Sequence, residues 1–201
     1  MAATGAKTEG GGVREVARRA VQAEIAAKAM KLFLVQGFEQ TTVNQIAAEV
    51  GISSRSVFRY FDSKEEMVVG ELIELGTELV AALEHRPAQE DPWVALRQAL
   101  QVCVDSLEGH PLGLRRATML ATTPSLRTAM IDKHLRWQQI LVPDIAKRLQ
   151  HGGELAELQA RGLVSAALSC LDVAATAWTE THDTRTLTDL VDLVFAAVRP
   201  Q

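Results

Sequence analysis

With 201 residues, 47% hydrophobic and 23% charged, the chain is ordinary globular material for one large or two modest domains. Its two cysteines, Cys103 and Cys170, are far apart and outside any CxxC pattern, which sets aside a disulfide scaffold or a zinc ribbon and fits reduced core thiols in a cytoplasm. The net charge of −4 argues at first sight against a nucleic-acid partner, but residues 13–64 hold eight Lys/Arg against five Asp/Glu while residues 65–201 hold twelve against nineteen, so a cationic head precedes an acidic body.

In chain order, MAATGAKTEGGG lacks the apolar core of a signal peptide and is expected to be a disordered tail over residues 1–12. Helical periodicity recurs through the rest and alternating β-branched runs are missing, so the expected fold is all-α with about nine helices. The first helix is predicted over 13–36, ending at Gly37. Arg14, Arg18 and Arg19 lie at its outer end, where Arg18 or Arg19 would be placed to meet phosphate or merely solvate the helix.

Residues 41–64 read TTVNQIAAEVGISSRSVFRYFDSK. Thr42 and Gln45 form a capping box that starts a helix at Val43. Ile46, Ala47 and Val50 give that helix one apolar face, and Gly51 supplies the left-handed residue that ends it. Ser53 then caps a second short helix, predicted over 54–61, whose Val57 and Phe61 pack inward. Ser54, Arg55, Ser56, Arg59 and Tyr60 face out. A stub too short to be stable alone, held by packing and showing hydrogen-bonding groups at its N-terminal end, fits the recognition helix of a helix-turn-helix. Expected base-edge contacts are Ser54, Arg55, Ser56 and Arg59, and expected phosphate contacts are Thr42, Tyr60 and Lys64.

This stretch resembles the N-terminal domain of TetR-type transcriptional regulators. The resemblance begins with Ile25, Ala29, Leu32 and Phe33, continues through Gly37 and Phe38, and closes with Tyr60, Phe61, Ser63 and Lys64. Phe58 stands where that family usually has a tyrosine, so a phenolic hydroxyl expected to touch phosphate is missing. The resemblance implies a helix-turn-helix DNA-binding domain over 13–63, then an effector-binding and dimerisation domain over 64–201.

In the body, Ser63 and Glu66 form another capping box, opening a helix over 64–85 with Lys64 against the dipole in its first turn, where a phosphate partner would explain it. Asp91-Pro92 opens a helix to about 108, and Gly109-His110-Pro111 breaks it. A sixth helix covers 112–121. Thr123-Pro124 opens a seventh reaching about 150, with a kink expected at Pro143 and a stop at His151-Gly152-Gly153. The most apolar run, 163–178, is too short for a membrane span and carries Asp172. The helix holding it, predicted over 155–181, is apolar on more than one face: Val164, Leu168, Leu171 and Ala175, with Leu163, Ala167, Cys170 and Ala174 beside them. The last helix repeats the theme through Leu187, Leu190, Val191, Val194, Phe195 and Val198, broadened by Leu193. Such surplus apolar surface calls for a second buried face, which packing against a second copy would provide, unless these helices are simply central to a monomer core. The resemblance implies a homodimer through these last two helices, placing two readers about 34 Å apart on a near-palindromic double-stranded operator.

No catalytic constellation is visible. His85, His110, His134, His151 and His182 have no ligand partner at i+3 or i+4, and there is neither a phosphate loop nor a nucleophile elbow. Neither enzyme, metal nor cofactor is expected. The body is expected to hold a small-molecule pocket, with candidate walls Trp93, Val102, Cys103, Met119, Leu120, Trp137, Leu141, Cys170 and Trp178, each of which plain core packing would also explain. Arg115, Arg116, Arg127 and Arg136 would neutralise an anionic ligand or be solvated. The run PSLRTAMIDKHLRWQQIL resembles a C-terminal domain of many actinobacterial regulators, some of which respond to fatty acyl groups or acyl-CoA. The expectation is a cytoplasmic homodimeric regulator, a repressor released by a small hydrophobic effector. Its alternatives are an activator with the same head, or an all-α ligand carrier or enzyme with a non-functional helix-turn-helix.

Overall fold

The computed structural model describes residues 9–149, 153–180 and 185–199, with the backbone alone for 9–11. Among these residues there is no strand, and the helices are α1 Glu9–Gln36, α2 Val43–Val50, α3 Ser54–Val57, α4 Lys64–Glu84, α5 Pro92–Ala99, α6 Gln101–Glu108, α7 Gly113–Thr122, α8 Pro124–Arg148, α9 Glu154–Glu180 and α10 Leu187–Val198. The chain divides into two compact units, Met1–Val68 and Val69–Gln201.

Three boundaries differ from expectation. Residues 1–8 of the expected tail lie outside the described residues, as do His151, Gly152, His182 and Asp183, but α1 already starts at Glu9. The helix predicted over 92–108 is interrupted at Leu100, whose carbonyl accepts from Cys103 N at 3.0 Å in a tighter i to i+3 turn. No proline or glycine marks that break. The stub predicted over 54–61 is α-helical only to Val57 and continues as turns, Arg59 N donating to Ser56 O and Tyr60 N to Val57 O. Serines and a β-branched residue have little helical propensity to extend it.

In the first unit Ile25, Ala29, Phe33, Phe38, Ile46, Val57 and Phe61 are buried, with the Phe33 and Phe38 rings 4.9 Å apart between centroids. At the entry to α4, Glu66 N donates to Ser63 Oγ at 3.1 Å, while the returning Glu66 carboxylate takes Asp62 N rather than the cap's own amide. Lys64 has partners that the sequence reading did not foresee. Its Nζ donates to Phe38 O and Thr41 O at 3.0 Å each and lies 4.5 Å from the Phe38 ring centroid. The ammonium is therefore held by carbonyls of the α1–α2 connection, which offsets its unfavourable place in the dipole without any phosphate.

In the second unit α9 is the central helix, packing on α5, α7, α8 and α10. It is 27 residues long and contains an 18-residue window of mean hydropathy 1.3, enough by length and composition to cross a bilayer. Its Ala160, Val164, Ala167, Leu168, Cys170, Leu171 and Ala174 are instead buried in the core of this unit. The second apolar face expected for a partner copy is thus largely used within the chain. Arg148 in the last turn of α8 donates to Leu83 O at 2.6 Å and Pro87 O at 2.8 Å, satisfying carbonyls at the C-terminal end of α4.

Replacing Lys64 with Met is expected to cost about 1–3 kcal/mol of stability, the range for charged hydrogen bonds that leave their acceptors unmet. Urea unfolding followed by circular dichroism measures it, and an unchanged midpoint would return Lys64 to the list of phosphate contacts.

Candidate functional site

Two sites are considered, one in each unit. In the first, Thr42 closes a full capping box with Gln45, and Gly51 sits at φ 81°, sending its N–H back to Ala47 and Ala48. Ser53 Oγ accepts from Ser56 N at 3.1 Å and lies 2.9 Å from Ser56 Oγ, and Ser54 Oγ donates to Asn44 Oδ1 at 2.5 Å. Gln22 donates to Tyr60 O at 3.0 Å from below. The Ser53, Ser54 and Ser56 hydroxyls and the Tyr60 carbonyl are thereby tied to α1, α2 or the stub's own cap, while Val57 is fully buried beneath it. Arg55 and Arg59 are exposed, and among the described residues neither has an ion-pair partner. The Arg59 guanidinium rests 5.8 Å from the Tyr60 ring centroid. Asn44 was missed in the sequence, because an exposed amide on α2 carries no pattern of its own.

The second site is a cavity of about 570 Å³ enclosed by α4, α6, α7, α8 and α9. Of the predicted wall, Cys103, Leu120 and Trp137 line it. The others do not. Trp93 stacks on Phe195, 4.6 Å between centroids, Leu141, Cys170 and Met119 are buried in core packing, and Trp178 packs against that core from its edge. Of the four arginines Arg127 lines the cavity, while Arg116 pairs with Glu71 at 3.3 Å.

The cavity also holds three polar groups that sequence reading did not assign to it: Lys133, His134 and Asp172. Lys133 is 2% exposed. Its Nζ lies 3.9 Å from the Trp137 ring centroid, and burial pulls its pKa down to about 8. His134 Nδ1 is 3.3 Å from an Asp172 oxygen. Burial lowers the imidazole to about 4 and raises Asp172 to about 6, so near neutrality the ring is uncharged and the carboxyl mostly ionised. Burial likewise lifts the Cys103 thiol to about 12. A lysine preceding a histidine on an otherwise ordinary amphipathic helix gives no local signal; only the five-helix packing turns both inward. Gly76 sets how closely α4 approaches this wall: a Cβ there would lie 2.8 Å from Trp137 Nε1 and 2.9 Å from Ile140 Cδ1.

Among the described residues no group of three or more His, Cys, Asp or Glu is placed to hold a metal ion.

Residues 25–69 match the family of bacterial regulatory proteins described as the tetR family, and residues 90–201 match the MftR C-terminal domain. The chain is similar to the HTH-type transcriptional regulator TcmR of Streptomyces glaucescens, 34% identical over 146 residues; the alignment covers 69% of this chain and 65% of TcmR. Its fold is that of FadR from Thermus thermophilus, a repressor solved with lauroyl-CoA, at a TM-score of 0.59 and 21% identity over 88% of this chain and 92% of that one. FadR from Bacillus subtilis, solved with stearoyl-CoA, gives a TM-score of 0.59 at 16% identity over 90% and 97%.

Two outcomes test the pocket's geometry. Gly76→Ala is expected to displace Trp137, shifting tryptophan emission and lowering stability by about 1–3 kcal/mol as overpacking does. Lys133→Met is expected to raise the melting temperature, because an ammonium buried without an acceptor is replaced by an apolar chain. The lysine's pKa is lower in the folded state, so its burial is most costly below pH 8 and the cost shrinks as pH rises. The variant's advantage should therefore be greatest below pH 8. An advantage that grew above it would contradict the assignment.

Proposed function

Because the chain belongs to the TetR family of bacterial regulatory proteins, we propose that it is a homodimeric transcriptional regulator, a repressor that leaves a near-palindromic operator when a small hydrophobic effector fills the body pocket. The observation that carries the reading is the pair of exposed, unpaired arginines, Arg55 and Arg59, on a stub fixed from beneath by Val57, Asn44 and Gln22. Guanidinium groups in that state are ready to meet guanine edges in a major groove, with Ser54 and Ser56 beside them. Thr42 and Tyr60 are placed for phosphate.

Dimerisation is supported by apolar side chains that α9 and α10 leave in solvent, Leu155, Leu158, Val173, Leu193 and Val198, which a second copy would cover. The likeness in fold to two FadR proteins solved with acyl-CoA molecules supports a hydrophobic effector, acyl-CoA among the candidates. Such a ligand acts only if it binds the DNA-incompetent arrangement more tightly than the competent one. The relatives are regulators rather than enzymes, and the working place of such a protein is the cytoplasm.

Arg55→Ala is expected to lose about 1–3 kcal/mol on the operator and to relax base choice, with little effect on scrambled DNA. Competition binding at several salt concentrations checks this, and equal loss on both duplexes would contradict the base-reading role. Exchanging Leu193 for Glu is expected to produce monomers in light scattering together with weaker operator binding.

A further inference from the structure

We infer that the body pocket takes an apolar monocarboxylic acid whose carboxylate seats against the ammonium of Lys133. This deepens the effector reading above and, for its regulatory consequence, rests on it.

Among the described residues no hydrogen bond and no ion pair reaches Lys133 Nζ; its one close partner is the Trp137 ring. A cation–π contact recovers only part of what removing an ammonium from water demands. The remaining deficit faces a cavity of about 570 Å³, which a ligand acceptor can enter.

Asp172 is the obvious internal rival for that role, and it does not fill it. Its carboxylate lies against His134, 3.3 Å from Nδ1, and among the described residues it makes no ion pair or hydrogen bond with Lys133. Lys133 is 2% exposed and has no protein acceptor among the described residues. His134, which lines the same cavity, has a buried Nε2 without a partner, a further unmet hydrogen-bonding group in the wall.

Ligand chemistry follows from the charge. A carboxylate arrives ionised and supplies two acceptor oxygens to an ammonium. A phenol would have to surrender a proton first, and a thioester carbonyl brings no charge. The rest of the wall, including Leu72, Leu75, Leu120, Met130 and Ile131, is apolar. The volume equals that of roughly nineteen liquid waters, room for an acid of about ten carbons.

The pH response isolates Lys133. The titratable or charged groups acting on it are Cys103 from α6, Arg116 from α7 and Asp172 from α9, with His134 on its own helix. Cys103 titrates near 12, Asp172 near 6 and His134 near 4. Between about pH 7 and 9.5 the lysine is therefore the member of this group that changes charge, and affinity for a carboxylate must fall through that window.

The experiment is calorimetric titration of the full chain with decanoate, decanol and decylamine. Decanoate should bind at least about tenfold tighter than decanol, with decylamine weakest, and should weaken from pH 7 to 9.5 while decanol does not. Lys133→Met should abolish the preference and leave decanol within about threefold of its original affinity; Lys133→Arg should keep the preference. Failure of decanoate to bind, equal affinity for decanoate and decanol, or equal loss of both in Lys133→Met would each overturn the assignment. Operator binding is measured separately. Selective decanoate binding without operator binding sinks the regulator reading alone, whereas operator binding with no head-group preference sinks this one alone.

Discussion

A helix of four residues cannot persist on its own. It closes barely one turn, and nucleating that turn fixes several dihedrals for one or two hydrogen bonds. The head is therefore organised by the burial of Val57, which anchors α3 on the packed faces of α1 and α2. The Ser53 cap, the Ser54–Asn44 bond and the Gln22–Tyr60 bond then fix the stub's rotation about that anchor. With the stub held, the entropy of presenting Arg55 and Arg59 reduces to that of their own side chains, which is how so short an element can read DNA.

What was legible in the sequence was whatever had a local cause. The Thr42–Gln45 box, the left-handed Gly51 and the Ser53 cap each depend on residues three or four apart, and all three form as read. The partners of Lys64 were not legible for the same reason. Its dipole conflict is local, but the carbonyls of Phe38 and Thr41 that resolve it come from 26 and 23 residues away. The break at Leu100 escaped because it arises from packing on both sides of a buried leucine, with no breaker residue to announce it.

The pocket was harder still. Hydrophobicity nominated nine wall residues, and the core claimed most of them, since a large apolar side chain that packs is indistinguishable in sequence from one that lines a cavity. Lys133, His134 and Asp172 are polar and so were passed over, yet they separate this cavity from an ordinary packing defect. A charge kept dry at a cost in stability, beside space for something to meet it, is the trade between stability and function that binding sites make.

The thiol of Cys103 sits in the same wall with its pKa lifted to about 12. At neutral pH its thiolate fraction is on the order of one in a hundred thousand, so an electrophile or peroxide entering the cavity finds almost no sulfur nucleophile. Whatever the cavity admits can leave unaltered, and occupancy tracks concentration instead of accumulating as a covalent scar.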